Sequence, residues 1–182
     1  MFLTLNLSRN IFCAQSDLKC SKIFFTHNIK AFGAGRFRRT ARWAMRTKRV
    51  LDLADAELVL VAAMGKADQE NWKVSMTVVD EAGCLMAFRR LDGASVSSAQ
   101  TAIDKARSAA LTRRPTKFFE EMVAAGRVAA SMIHGVFAIE GGLPIIVEDE
   151  VVGGFAVSGL KSQLDIALVE AGLLALAFHQ GR

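Results

Sequence analysis

Arg90 and Asp92 stand two residues apart at the close of an apolar stretch, Val74 to Gly93, which reads VSMTVVDEAGCLMAFRRLDG. A cation and an acid delivered at the end of a strand, just ahead of a helix start, commonly line a pocket for a small polar ligand. Asp92 in that place can orient a neighbouring lysine or accept a proton, as proton-transfer catalysis requires. The plainer alternative is a turn or cap acid bonded to backbone N–H groups. Neighbouring strand residues project to opposite faces, so at most one of Arg89 and Arg90 lines the same pocket. Lys105 comes next, on a helical stripe with Thr101, Ser108 and Thr112, spaced by four, three and four residues. Such a stripe is either a solvated face or a way of presenting one ammonium to an anion. Gly141-Gly142, ahead of Leu143-Pro144, can turn two backbone N–H groups toward an oxyanion. It can equally be a bend that excludes Cβ atoms.

Other chemistry is poorly supplied. Ser158 has no histidine near it in sequence, and a serine at a strand end is ordinarily structural. No Walker-type or paired-carboxylate pattern is present. Cysteines occur at 13, 20 and 84, without a CxxC pair or a histidine at metal spacing. That sparse, odd count fits a reducing compartment and a cytoplasmic protein, with Cys84 a small buried strand residue. No uninterrupted apolar run of about 18 residues appears, so no membrane span is expected.

The formal charge of +5 is unevenly placed. Residues 1–49 hold eleven Lys/Arg against Asp17 alone, a net of +10, which leaves −5 for residues 50–182. Nucleic acid is therefore not expected as a partner of the folded part, since phosphate binding needs cations clustered on the fold itself. Residues 1–49 read as a basic extension, disordered or produced by a start assigned too early, with Met45 as the true initiator. An acid-poor, Arg-rich leader also resembles an organelle transit peptide. Residues 50–182 make one domain, long enough to bury a substantial core.

The elements that must position these side chains follow from periodicity. Ala54, Leu58, Val61, Ala62 and Gly65 recur at helical spacing, predicting a helix over 53–71 with that face inward. Val74, Met76 and Val78 alternate with Ser75, Thr77 and Val79 as in a strand, and Asp80 to Gly83 turns the chain into a second strand, 84–91. Ser97 or Ser98 caps a helix that Pro115 ends. Shorter helices are expected over 118–125 and 128–133. Strands are expected at 136–139, 143–147 and 151–157, with Glu148 to Glu150 as a turn. Ser162, with Asp165 as its capping-box partner, opens a final helix whose inner face is Ile166, Val169, Leu173, Leu174, Ala177 and Phe178. The result is an α+β fold, an antiparallel sheet of about five strands with helices packed on it.

Four segments, VVDEAGCLMAFRRLDG (78–93), AIDKARSAALTRRPT (102–116), GGLPI (141–145) and VVGGFAVSGLKSQLD (151–165), together resemble the GlcG/HbpS-like family, often labelled haem-degrading or haem-binding. The resemblance covers about residues 53–178. It implies a profilin-like α/β/α domain assembled into symmetric homo-oligomers, with a small-molecule ligand: haem, another tetrapyrrole or a small organic acid. It also implies that Lys105 is a pocket lysine holding a carboxylate or propionate, that Gly141 and Gly142 floor the pocket, and that Thr116 offers a hydroxyl there. Arg90 and Asp92 complete the expected ligand-binding set. If haem is the cofactor it needs an axial ligand, for which His134 is the nominee; no tyrosine exists to serve instead. Two alternatives stand beside the binding protein. One is a small catabolic enzyme, tautomerase-like or decarboxylase-like, with Asp92 as base and Lys105 stabilising an enolate. The other is an accessory subunit of a catabolic enzyme.

Overall fold

A computed structural model of the chain describes residues 47–180. The basic extension up to Arg46, with Cys13, Cys20, His27 and Met45, lies outside the described residues. The order is α1 (Leu53–Gln69), β1 (Ser75–Asp80), β2 (Leu85–Arg90), α2 (Val96–Thr112), α3 (Lys117–Ala124), a 3-10 turn (Val128–Met132), β3 (Gly142–Val147), β4 (Glu150–Ser158) and α4 (Ser162–Gln180). The strands form one antiparallel sheet in the order β2-β1-β4-β3. Helices α1 and α4 cover one face and α2 the other, giving the expected α/β/α layering.

The sheet has four strands among the described residues, not about five. Val136 to Ile139 is the missing one. Gly135 takes φ 79°, the Ile139 N–H bonds back to the Phe137 carbonyl, and the Phe137 N–H goes to the Ser108 hydroxyl of α2 at 3.0 Å. A helix side chain takes the backbone group that a neighbouring strand would have needed.

Alternation on β1 sorts the two faces. Val74, Met76 and Val78 join Val59, Leu60, Phe155, Val157 and Leu168 in the main core under α1 and α4. Ser75 and Val79 face α2, where Ser75 bonds the Ser98 hydroxyl at 2.8 Å and Val79 packs with Ala106, Ala110 and Ala156. The α2 face is built from small residues, so helix and sheet approach closely. A Cβ on Gly154 would lie 2.3 Å from the Ala106 carbonyl oxygen. The cap of helix α2 is Ser95, two residues before the nearer of the expected Ser97 and Ser98, and its hydroxyl accepts the Ser98 N–H at 3.2 Å. The helix ends at Arg113, which adopts the left-handed region (φ 56°), just before Pro115.

Two helix faces differ from expectation. On α1 the buried residues are Ala56, Val59, Leu60, Ala63 and Ala67, while Ala54, Val61 and Gly65 face out. On α4 they include Asp165, Leu168, Val169, Gly172 and Leu176, while Leu174 (58 %) and Phe178 (68 %) are exposed. Both helices carry apolar side chains on two sides, so spacing cannot select the inward one. By length and composition the stretch Ser162–His179 would also pass for a membrane span. It is instead built into this fold, packed on α1 and the sheet, with Lys66 of α1 donating to the Ala167 carbonyl at 3.0 Å. Cys84 is exposed rather than buried, because it closes the β1–β2 turn and its N–H bonds the Asp80 carboxylate at 2.7 Å.

Candidate functional site

Lys105 sits halfway along α2 on the side that meets the sheet, and only 2 % of it is exposed. Its ammonium donates to Asp165 Oδ2 at 3.0 Å and to the Val157 carbonyl at 3.3 Å. Asp165, equally buried, accepts the Leu160 N–H on its other oxygen at 3.1 Å. Lys105 thereby ties α2 to the end of β4 and to the first turn of α4. Burial pushes the Asp165 carboxyl above its ordinary value, opposed by the Lys105 charge and by its hydrogen bonds to Lys105 and Leu160.

The double glycine closes over this pair. Gly141 takes φ 130°, and a Cβ there would lie 2.5 Å from Lys105 Nζ and 2.9 Å from the Val157 oxygen. Its carbonyl accepts the Val157 N–H at 3.0 Å. A Cβ on Gly142 would lie 2.8 Å from the Lys105 carbonyl oxygen. The bend thus lies against both the backbone and the ammonium of Lys105, which only residues without side chains allow. Thr116, fully buried, clasps the same bend: its N–H bonds the Gly142 oxygen at 3.0 Å and its hydroxyl accepts the Gly142 N–H at 3.1 Å. The Gly142 amide is therefore already partnered. Just ahead of the bend, the Glu140 N–H bonds Glu120 of α3 at 2.6 Å, and its carboxylate meets Lys117 at 3.1 Å.

Lys105, Thr116, Gly141 and Gly142 come together; Arg90 and Asp92 do not join them. Pairing of Arg90 with Ser75, and of Ser75 with Ser158, puts Arg90 two strands from β4, roughly 10 Å at ordinary strand spacing. Arg90 lies on the α2 side of the sheet and is exposed, whereas Arg89 on the other side bonds Glu57 of α1 at 2.7 Å. Asp92 is exposed in the turn before α2. The acid that holds Lys105 is Asp165, which spacing had marked only as a capping-box partner of Ser162. The capping box does not form, because Ser162 is the first helical residue rather than the cap and Asp165 reaches Leu160 instead. The polar stripe on α2 is likewise no solvated face. Ser108 is buried and bonds Phe137, while Thr101 and Thr112 donate to carbonyls of their own helix. His134 is exposed in the loop after the 3-10 turn. No cluster of three or more His, Cys, Asp or Glu suited to a metal occurs among the described residues.

The chain is similar in sequence and fold to several known proteins. A family model described as haem degrading protein HbpS-like matches residues 51–174. Protein GlcG of Escherichia coli K12 is 39 % identical over 114 residues, covering 63 % of this chain and 85 % of that protein. The crystal structure of a double mutant of Streptomyces reticuli HbpS superposes with a TM-score of 0.67 at 28 % identity, covering 72 % of this chain and 90 % of that one. A crystal structure of a PduOC–haem complex has a TM-score of 0.64 at 22 % identity over 70 % of this chain and 95 % of that one, a likeness of fold.

Proposed function

The chain belongs to the HbpS-like family, and from that premise we propose that it is a small-ligand-binding protein. Its ligand carries an acidic group: haem, another tetrapyrrole or a small organic acid. One observation carries the reading. A lysine ammonium is enclosed beneath a double-glycine bend that a buried threonine clasps, at the meeting of α2, α4 and the ends of β3 and β4. An ammonium offers three donors, and two have protein acceptors here. Lys105, Thr116, Gly141 and Gly142 form the inner part of the binding set. Arg90, with Asp92 at the same end of the sheet, supplies an outer, solvent-facing part, and His134 is the candidate axial ligand if the guest is haem. Titration with hemin, followed by its absorption band, and thermal-shift assays with small carboxylates test this. Saturable binding of at least one probe is expected; no response to any of them would remove the reading.

The same protein works, in this proposal, as a cytoplasmic homo-oligomer joined across the outer side of α4. Exposed apolar side chains clustered on one helix side mark an interaction surface. Leu174 and Phe178 are exposed, and beside them a groove of about 850 Å³ runs between Leu173, Leu174 and Ala177 of α4 and Ile146 of the edge strand β3. Leu174→Glu is expected to shift the protein to a smaller species in size-exclusion chromatography or native mass spectrometry. A monomeric wild type would refute the assembly.

A further inference from the structure

We propose that Asp165 occupies, at Lys105, the place of the ligand's own carboxylate, so that an acidic guest binds Lys105 only by displacing Asp165, which is protonated as it leaves. The inference rests on the ligand reading above and adds to it an internal competitor.

The geometry leads there directly. Lys105 is sealed from solvent, and Asp165 is the one carboxylate bonded to its ammonium among the described residues. That carboxylate has a second tether, the Leu160 N–H, which lies in the link between β4 and α4. Release of Asp165 from Lys105 therefore loosens the start of α4 rather than a single side chain. A Cβ on Gly141 would lie 2.5 Å from the ammonium, so the double-glycine bend packs directly against Lys105. Two carboxylates cannot both stay ionised beside one buried ammonium without a large Coulomb cost. The arriving carboxylate accepts a hydrogen bond from the ammonium, which keeps its proton, and Asp165 takes one proton from solvent.

On α2 the other charged side chains are Asp104, bonded to Gln100, and Arg107, bonded to the Gly83 carbonyl. Helix α4 carries Glu170 and His179, with Lys161 just before its start, and β4 carries Glu150. Beside these lie Lys66 on α1, bonded to the Ala167 carbonyl, and Glu140 before the bend, with its partners Lys117 and Glu120 on α3. On β4 the neighbour is Val157, which offers a carbonyl. Glu140 already has Lys117, and burial holds the Asp165 carboxyl above its ordinary value, so Asp165 is the group to protonate.

Calorimetry with hemin in two buffers of different ionisation enthalpy measures the proton count. Wild type is expected to take up close to one proton per hemin, with affinity falling about tenfold per pH unit above the pKa of Asp165. Hemin dimethyl ester, which has no free carboxylate, should bind without proton uptake. Succinate as a third probe separates a tetrapyrrole site from a site for free acids. Asp165→Asn should bind hemin at least about fivefold more tightly and lose the proton uptake, a change that a merely structural residue would not produce. If that variant does not fold, amide exchange of Leu160 in the wild type decides, with faster exchange expected when hemin is bound. Hemin binding without proton uptake, or with an unchanged Leu160 amide, overturns this inference and leaves the ligand reading standing. Absence of binding by every probe to both proteins sinks the two together.

Discussion

Lys105→Met and Asp165→Asn are each expected to cost about 3–5 kcal/mol of folding stability, and the double variant to lie within about 1 kcal/mol of wild type. Each single change leaves one buried charge without its counter-ion: a carboxylate with only the Leu160 N–H, or an ammonium with only the Val157 carbonyl. The double change removes both charges while asparagine keeps an acceptor for Leu160. A coupling of several kcal/mol in this cycle, read from denaturant unfolding, is the expected signature. Additive single effects would mean that the pair is not formed. A pH dependence follows from the same pair. Burial raises the Asp165 carboxyl above its unfolded value of 3.8, so the folded state holds that proton more tightly. The stabilisation from this group is complete below the unfolded value and is lost as pH rises through the folded one. Wild type should therefore lose stability relative to the double variant as pH rises from about 4 toward neutrality, a difference that thermal melts at several pH values would record.

Much of this fold was legible from residue types alone. The β1–β2 hairpin follows from the period of two, and so does the opposite placement of Arg89 and Arg90, since Arg89 pairs with Glu57 on α1 while Arg90 lies on the α2 side. The stop of α2 before Pro115 and the bend at Gly141-Gly142 follow from conformational limits of single residues. Three features were not legible, each for a physical reason. The inward faces of α1 and α4 could not be chosen because Val61, Leu174 and Phe178 make a second apolar side as good as the first. Val136 to Ile139 has strand-like composition but gives its Phe137 amide to Ser108, a partner supplied only by tertiary structure. Asp165 and Lys105 are separated by 60 residues, so local spacing could offer Asp165 only a capping role, and Asp92, nearer in sequence, looked the better partner. The family resemblance carried the double glycine and Lys105 into one place; the acid that completes that place had to come from the coordinates.

Gly154→Ala should be among the most damaging single substitutions outside the Lys105 cluster, costing about 3 kcal/mol or more. Its Cβ would lie 2.3 Å from the Ala106 carbonyl oxygen and 3.0 Å from the Ala110 amide nitrogen, both backbone atoms of α2. Neither can turn aside as a side chain would, so the helix must lift from β4. Such a lift separates Ala106 and Ala110 from Val79 and Ala156, the small cluster that fills this interface. It also draws on Lys105, one residue before Ala106, whose ammonium is bonded to Val157 and Asp165. Loss of stability should therefore come with weakened ligand binding even in conditions where the variant remains folded. Gly65→Ala is the matched control, because nothing lies within 4 Å of a Cβ there and alanine is the better helix former. It should leave stability unchanged or raise it by up to about 1 kcal/mol. Equal melting temperatures for Gly154→Ala and wild type would show that α2 does not sit against β4 as closely as described, and the enclosure of Lys105 would fall with it.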